Sequence, residues 1–355
     1  MNSHSAETNP PVKICHLFMS REFGGLEKHV VELSGWQAAH TGAQVFVIAH
    51  PRYRKHFTDS VTFIPVNTDL SRRNPLLYLS LLRACRQYEF DLVHGHGGKA
   101  AAVQKWLHRF TRCAPVITRH NIVHPKDSLA AGFPQRIAVS RKAVAVSALD
   151  WTIIPNGTHP PQPGQPRPQA MEAGKRAVLA VARLVPAKGI DLLLQAWASV
   201  APAGTILYLV GDGPDRSALE AQATALGVDD SVRFIGFSTE VSRWMQAAEF
   251  MVVSSHKEGA PYTVVEALLC GCPVISTDVG SNAELLPAAY VAGETSAEAI
   301  ATLLDRALAD PVALRDAFEP VFQYATEHLN VAAMARATWA VYRQALGREL
   351  PLVRG

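Results

Sequence analysis

The stretch EGAPYTVVEALLCGCPVISTD, residues 258–278, reads in succession as a loop, a helix and a short buried strand. Pro261 suits a first helical position, so the sequence predicts a helix starting near Ala260. Glu258 then lies in the loop and Glu266 in the second turn of the helix. The helix N-terminus between them offers unpaired N–H groups and the positive end of the helix dipole. Immediately upstream, FMVVSS (250–255) is a near-continuous apolar run. Strand, helix and strand therefore follow one another. Strands that are apolar throughout, rather than alternating, are parallel strands covered on both faces.

The same alternation extends outward in both directions. Upstream in the second half, AVLAVARL (177–184), TILYLVGDG (205–213) and VRFIGF (232–237) are each followed by a helix-period run. In the first half, strands are expected over 12–19, 44–50, 61–66, 91–97, 115–120, 136–140 and 152–156. Helices are expected over 26–40, 75–89 and 98–111. Between the halves lies the Pro-rich HPPQPGQPRPQAMEAGK (159–175), a stiff linker and candidate boundary. The chain thus predicts an α/β protein of two doubly wound, Rossmann-like domains, residues 1–160 and 161–325. The remainder, from 297 on, is helical, and Pro320 predicts a break or kink in it.

Composition is that of a globular protein, with 48% hydrophobic and 18% charged residues among 355. No apolar run reaches the length of a membrane span. MNSHSAETNPPVK (1–13) has no apolar core and reads as a disordered tail rather than a signal peptide. The five cysteines contain no Cys-x-x-Cys pair, so reduced, mostly buried thiols in a cytoplasmic protein are expected. Charge is uneven. Residues 1–160 carry 19 Lys and Arg against 10 Asp and Glu, whereas residues 161–355 carry 15 against 21. By charge alone the basic half could meet phosphate, anionic lipid or nucleic acid, or could be an ordinary solvated surface. Nucleic acid is not an expected partner.

Ligands of doubly wound sheets bind beyond the carboxyl ends of the strands, so the strand-to-helix loops hold the candidate residues. Gly24-Gly25 follows the first strand and either lets backbone approach a ligand or makes a tight turn. Arg183 and Lys188 flank a Pro turn. Two cations at a strand end suit a diphosphate, though solvated cations are the alternative. VGDGPD (210–215) has Arg216 where a dinucleotide loop needs its third glycine, so NAD is poorly supported. His120 ends a strand, and His94-x-His96 is too sparse for a convincing metal site. No Asp-x-Asp occurs in the chain, which argues against a metal bridging nucleotide phosphates. Glu258, a helix N-terminus and Glu266 together suit a ligand with hydroxyls at both ends and phosphate in the middle. A nucleotide sugar is such a molecule.

The Glu258-x7-Glu266 pair resembles the signature of retaining glycosyltransferases of family 4, which have the GT-B fold of two Rossmann-like domains facing a cleft. FGGLEKHVVEL, DLVHGHG, ITRHN, IAVS, IIPNG, ARLVPAKGIDLLLQA, LVGDGPDRSALE, VRFIGF and CPVISTDVGSNAELL resemble its other landmarks, in order. The resemblance implies that Glu266 binds ribose hydroxyls and Glu258 the donor sugar. It implies that Arg183 and Lys188 hold the diphosphate, and that Gly24 and Gly25 approach phosphate or acceptor. His120 would sit by the reacting sugar, and the backbone at Ile235 and Gly236 would meet the base. Gly259, Ala260, Pro261, Tyr262 and Thr263 complete the implied donor site. Residues 326–355 would form a helix crossing back to the first domain. The segments either side of IAVS are shorter than in the family, which leaves the acceptor open. Tyr262 and Thr263 stand where the family usually has apolar residues.

The expected activity is a metal-independent, retaining sugar transfer of the hexosyltransferase type. It would use a nucleotide-sugar substrate, no cofactor, and a glycolipid or oligosaccharide acceptor of the cell envelope, most plausibly the lipopolysaccharide core. Basic helices at 71–87 and 102–112 add an expectation of peripheral contact with the inner face of an anionic membrane. The alternatives are a nucleotide-sugar epimerase on the same fold and a non-catalytic subunit that binds sugar nucleotides. Epimerases lack the combined Glu and Arg-x4-Lys pattern, and intact carboxylates and cations argue against the subunit.

Overall fold

The computed structural model describes residues 10–120 and 127–350. Most of the expected N-terminal tail and Asn121 lie outside this range. The tail is shorter than expected, because Val12 is already buried and Lys13 opens a strand. The chain divides into two compact units. One comprises the described residues of Met1–Val139, Ala143–Ile154 and Val331–Gly355, the other Ser140–Lys142 and Pro155–Asn330.

The first unit runs β1 (Lys13–Phe18), α1 (Gly25–His40), β2 (Gln44–Ala49), β3 (Thr62–Pro65), α2 (Pro75–Tyr88), β4 (Leu92–His96) and α3 (Gly97–Leu107). It continues with β5 (Ala114–Arg119), the single turn α4 (Asp127–Ala130), β6 (Gln135–Ala138) and the two-residue β7 (Thr152–Ile153). All seven strands are parallel, in the order β3-β2-β1-β4-β5-β6-β7. β1 and β4 are buried along nearly their whole length, as strands covered on both faces must be. His16 lies opposite His94 in the β1–β4 register, and His94 and His96 share one face of β4.

The second unit runs β8 (Arg176–Val181), α5 (Ile190–Val200), β9 (Thr205–Val210), α6 (Arg216–Ala225), β10 (Val232–Gly236), α7 (Val241–Ala247) and β11 (Phe250–Val253). Then come α8 (Tyr262–Leu269), β12 (Val274–Thr277), α9 (Asn282–Leu285), β13 (Val291–Ala292), α10 (Ala297–Ala309) and α11 (Pro311–His328). Its parallel sheet has the order β10-β9-β8-β11-β12-β13. The strand order reverses beside β8, so the carboxyl ends of β8 and β11 flank the crevice at the switch point. One continuous apolar core, with Trp197, Tyr208, Phe250 and Phe318 fully enclosed, holds the sheet between its helices.

Two expectations about prolines are corrected. Pro261 is the N-cap of α8, with extended backbone (φ −68°, ψ 123°), and helical residues begin at Tyr262. Pro320 does not break the tail, since α11 runs through it to His328. Leu314, Phe318, Phe322 and Ala325 are buried on both sides of the proline, and this anchoring outweighs one lost backbone hydrogen bond. The helix ends instead at His328, capped by Leu329, just before the unit itself ends at Asn330. The last helix, α12 (Val331–Leu346), packs on α1 and β5 of the first unit. Met334, Trp339, Val341 and Tyr342 share an apolar cluster with Ile14, Leu33, Trp36 and Val116. Burial of side chains such as Met334 and Val341 stabilises this docking by roughly 1.5–3 kcal/mol each.

Candidate functional site

In the second unit the sequence-derived candidates gather at the carboxyl ends of four neighbouring strands. The β8–α5 loop carries Arg183 and Lys188. Its turn closes at Gly189 in the left-handed region (φ 59°), where a Cβ would stand 2.2 Å from the Ser254 carbonyl oxygen. Only glycine permits that approach. The Ser254 hydroxyl donates to the Lys188 carbonyl at 2.9 Å, and His256 N–H donates to the Ala187 carbonyl at 3.0 Å. The β8 and β11 loops are thus fastened together.

Across that junction the Lys188 ammonium pairs with Glu258 Oε1. Ser255 Oγ donates to the same oxygen at 2.9 Å. Both charged side chains are largely shielded, at 22% and 14% exposure, so the pair is better insulated than a surface ion pair. Arg183 is exposed at the rim of the loop.

Glycines missed as site-forming in the sequence hold the Glu258 loop. Gly280 has φ +56°, and a Cβ there would stand 2.3 Å from the Gly259 carbonyl oxygen. Gly211 and Gly213 press likewise against the backbone of Ala182 and Leu184. Asn156 is buried and donates its Nδ2–H to the Ala260 carbonyl at 2.9 Å. Thr277 Oγ1 donates to the Ser255 carbonyl at 2.7 Å. The signal for these residues was small-residue clustering at strand ends, which spacing alone does not interpret.

α8 leaves this loop with Tyr262 buried, Thr263 half-buried and Glu266 half-buried in its second turn. Ile235 and Gly236 end β10, Gly236 having φ +83°. Gly211 N–H donates to the Gly236 carbonyl at 2.8 Å, which joins the ends of β9 and β10. Arg216 caps this corner, donating to the Phe234 carbonyl at 3.2 Å and to Glu220 at 2.8 Å.

Gly24, Gly25 and His120 belong to the first unit. Gly24 is the N-cap of α1, and its N–H donates to Glu27 Oε2 at 2.7 Å. The buried Glu27 carboxylate therefore already occupies one donor of the glycine turn. His120 follows β5 within a histidine cluster. Its Nε2 lies 3.2 Å from His96 Nδ1, His96 Nε2 lies 3.1 Å from His16 Nδ1, and His16 Nε2 lies 2.8 Å from Gln37 Oε1. His94 contacts Tyr342 and Thr118, each at 2.6 Å. Burial lowers all four basicities: His16 falls to about 4, and His94, His96 and His120 fall well below the usual range. These rings are neutral at neutral pH. The triads His16, His94, His96 and His29, His96, His120 are tight enough to hold a metal ion. However, both nitrogens of His16, His94 and His96 are committed to protein partners, which describes a hydrogen-bonded chain rather than a ligand shell.

Comparison with known proteins supplies two family matches. The family described as Glycosyltransferase Family 4 matches residues 23–159, and that described as Glycosyl transferases group 1 matches residues 162–320. The lipopolysaccharide core biosynthesis glycosyltransferase LpsE of Rhizobium meliloti is 26% identical over 282 residues, spanning 75% of this chain and 79% of that protein. The lipopolysaccharide core biosynthesis mannosyltransferase LpcC of Rhizobium leguminosarum bv. viciae is 26% identical over 231 residues, spanning 59% and 64%. Among solved structures, HepE of Anabaena in complex with UDP superposes with a TM-score of 0.80 at 21% identity, covering 94% of this chain and all of that one.

Proposed function

We propose that this chain, which belongs to the family 4-like glycosyltransferases of the GT-B fold, moves a sugar from a nucleotide-sugar donor to a cell-envelope glycoconjugate, the lipopolysaccharide core foremost. The observation that carries the donor half of this reading is the Lys188–Glu258 pair at the switch-point crevice. It sets a cation for diphosphate beside a carboxylate for sugar hydroxyls. Relatives named for lipopolysaccharide core synthesis carry the acceptor half, and UDP in a structural neighbour supports a nucleoside diphosphate donor.

In this reading Glu266 takes the ribose hydroxyls, Ile235 and Gly236 the base, and the start of α8 from Gly259 to Thr263 the phosphates. Glu258 orients the donor sugar, with Lys188 and Ser255 fixing its carboxylate. Arg183 and Lys188 offset the charge that grows on the leaving diphosphate, which a metal would otherwise neutralise. The acceptor hydroxyl attacks the anomeric carbon on the face from which the diphosphate departs. The carbon–phosphate-oxygen bond breaks, and the hydroxyl proton passes to the departing phosphate, so configuration is retained. Glu258 is held by Lys188 and Ser255, an environment that suits orientation rather than nucleophilic attack. The test is the product formed in EDTA. NMR of the new linkage should show the donor's anomeric configuration. An inverted product, or activity restored only by added Mg²⁺ or Mn²⁺, contradicts the mechanism.

The first unit supports contact with anionic lipid. Arg72 and Arg73 are exposed just before α2, and Leu76 and Leu79 project from that helix at 61% and 60% exposure. Phe110, beside Arg109 and Arg112, is also exposed. No helix among the described residues is long and apolar enough to cross a membrane, so contact would be peripheral.

A further inference from the structure

Three cysteines of the first unit share one apolar cluster: Cys15 on β1, Cys85 in the last turn of α2, and Cys113 just before β5. Cys15 is fully enclosed, whereas Cys85 and Cys113, at 9% and 7% exposure, both line an open cavity of about 820 Å³. Phe90, Asp91 and Ala114 place this cavity at the amino ends of β4 and β5, the edge of the sheet opposite the strand-to-helix loops. Its wall carries Arg86, His108 and Arg112. Among the described residues Arg86 and Arg112 have neither a hydrogen bond nor an ion pair. Arg348 is paired with Asp91 at 3.1 Å, and Glu89 is the other acid of the wall. The two thiols are joined: Cys85 donates its S–H to Cys113. Thr111 Oγ1 lies 3.1 Å from Cys113 Sγ and 3.1 Å from the Leu107 carbonyl oxygen, so its one hydrogen can turn to the sulfur. The hydrogen bond from Cys85 lowers the Cys113 thiol to about 7 despite burial, and the same bond, with burial, pushes Cys85 up. Cys113 is therefore the sulfur of the pair that ionises first.

A thiolate beside cations is a nucleophile, and a second thiol in contact with it can resolve a mixed disulfide. We propose that Cys113 and Cys85 form a thiol–disulfide exchange site, Cys113 attacking and Cys85 resolving, whose substrate is a small anionic disulfide drawn in by Arg86 and Arg112. The Cys113 thiolate attacks one sulfur of that disulfide. Its S–S bond breaks, and the first small thiolate leaves and takes up a proton. Cys85 then gives up its proton and its sulfur attacks Cys113 Sγ, so the mixed disulfide breaks and the second small thiol is released. The protein is oxidised by two electrons to a Cys85–Cys113 bridge, and the small disulfide is reduced to two thiols. The bridge ties the end of α2 to the start of β5. The site lies wholly in the first unit and needs neither a nucleotide sugar nor the second unit.

The test begins with reduced wild-type protein incubated, folded, with glutathione disulfide, a net anion. Peptide mapping by mass spectrometry identifies the products. The exchange site predicts a Cys85–Cys113 bridge as the main product, with Cys15, Cys270 and Cys272 unmodified. Reaction only after unfolding, or a product that leaves out Cys113, overturns it. Two variants then assign the roles. Cys85→Ser lacks the resolving thiol, so a glutathione adduct should accumulate on Cys113. In Cys113→Ser, Cys85 should stay free. An adduct on Cys85 in Cys113→Ser, formed as fast as the wild type reacts, overturns the order of attack. Mapping of the wild type decides the site even where a serine variant fails to fold. Charge is tested last. Arg86→Gln with Arg112→Gln should slow the reaction with glutathione disulfide roughly tenfold and leave that with cystamine, a cationic disulfide, no slower. Equal slowing of both reactions, or slowing of neither, overturns recruitment by the two arginines.

Discussion

The Lys188 ammonium is held against the Glu258 carboxylate, joining the loop after β8 to the loop after β11. The sequence assigned these residues to different parts of the ligand, 70 positions apart. In the proposed function, their contact means that neither charge would enter donor binding alone. Lys188→Ala should lower turnover by roughly 10²–10³, as loss of a preorganised charge does. It also leaves Glu258 without its cation. Glu258→Gln should therefore recover part of the donor affinity in the Lys188→Ala background, measured by calorimetry. Strict additivity of the two substitutions contradicts coupling through this pair.

Gly280→Ala and Gly189→Ala should each destabilise the second unit. Both positions have positive φ, and both place a new Cβ against backbone carbonyl oxygen. Strain of this kind costs roughly 1–3 kcal/mol per site. Thermal unfolding should show the second unit melting several degrees lower, with donor binding weakened as the Glu258 loop shifts. An unchanged midpoint contradicts the close approach.

Much of this was legible in advance, and the remainder was hidden for identifiable reasons. Apolar runs located every strand of the two sheets except the two-residue β13, because parallel strands buried on both faces leave no ambiguity of period and β13 is too short to make such a run. Pro261 misled by one residue, since proline fits an extended N-cap as well as a first turn. The break expected at Pro320 is absent because buried neighbours on both sides keep the helix continuous. The histidine line was invisible because His16, Gln37, His96 and His120 are scattered along the first unit. Only the β1–β4–β5 order brings them together. Gly280 was read as part of a motif, whereas its work is to let the Glu258–Gly259 backbone pass.

Acid should weaken the first unit through its histidines. Their folded basicities are lowered, so in mild acid the unfolded chain binds more protons than the folded one, and stability falls as pH falls below about 6.5. His16 alone, lowered to about 4, accounts for on the order of 3 kcal/mol by pH 4. The groups facing it are Gln37 and His29 from α1, His94 and His96 from β4, and Tyr342 from α12. Urea midpoints between pH 7 and 4.5 should drop in the wild type and less in His16→Asn. Parallel curves for the two proteins contradict the assignment.

Neutralising Arg72, Arg73, Lys105, Arg109 and Arg112 should weaken sedimentation with vesicles containing anionic lipid and leave nucleotide-sugar binding unchanged. Each cation near such a surface contributes about 1 kcal/mol, fading beyond a Debye length of about 8–10 Å. Raised salt should release the wild type. Equal sedimentation with neutral and anionic vesicles contradicts membrane contact and favours a soluble acceptor.

The central claim is that the second unit binds a nucleoside diphosphate sugar through Arg183, Lys188, Glu258 and Glu266. A thermal-shift titration with UDP-, GDP-, ADP- and CMP-linked sugars tests it most directly, run on the wild type and on Arg183→Ala and Glu266→Ala. The account predicts that a diphosphate-linked donor raises the wild-type midpoint. The shift should shrink in Arg183→Ala and Glu266→Ala while their unliganded midpoints stay near wild type. No response to any of these sugars, or an equal response in all three proteins, would contradict it.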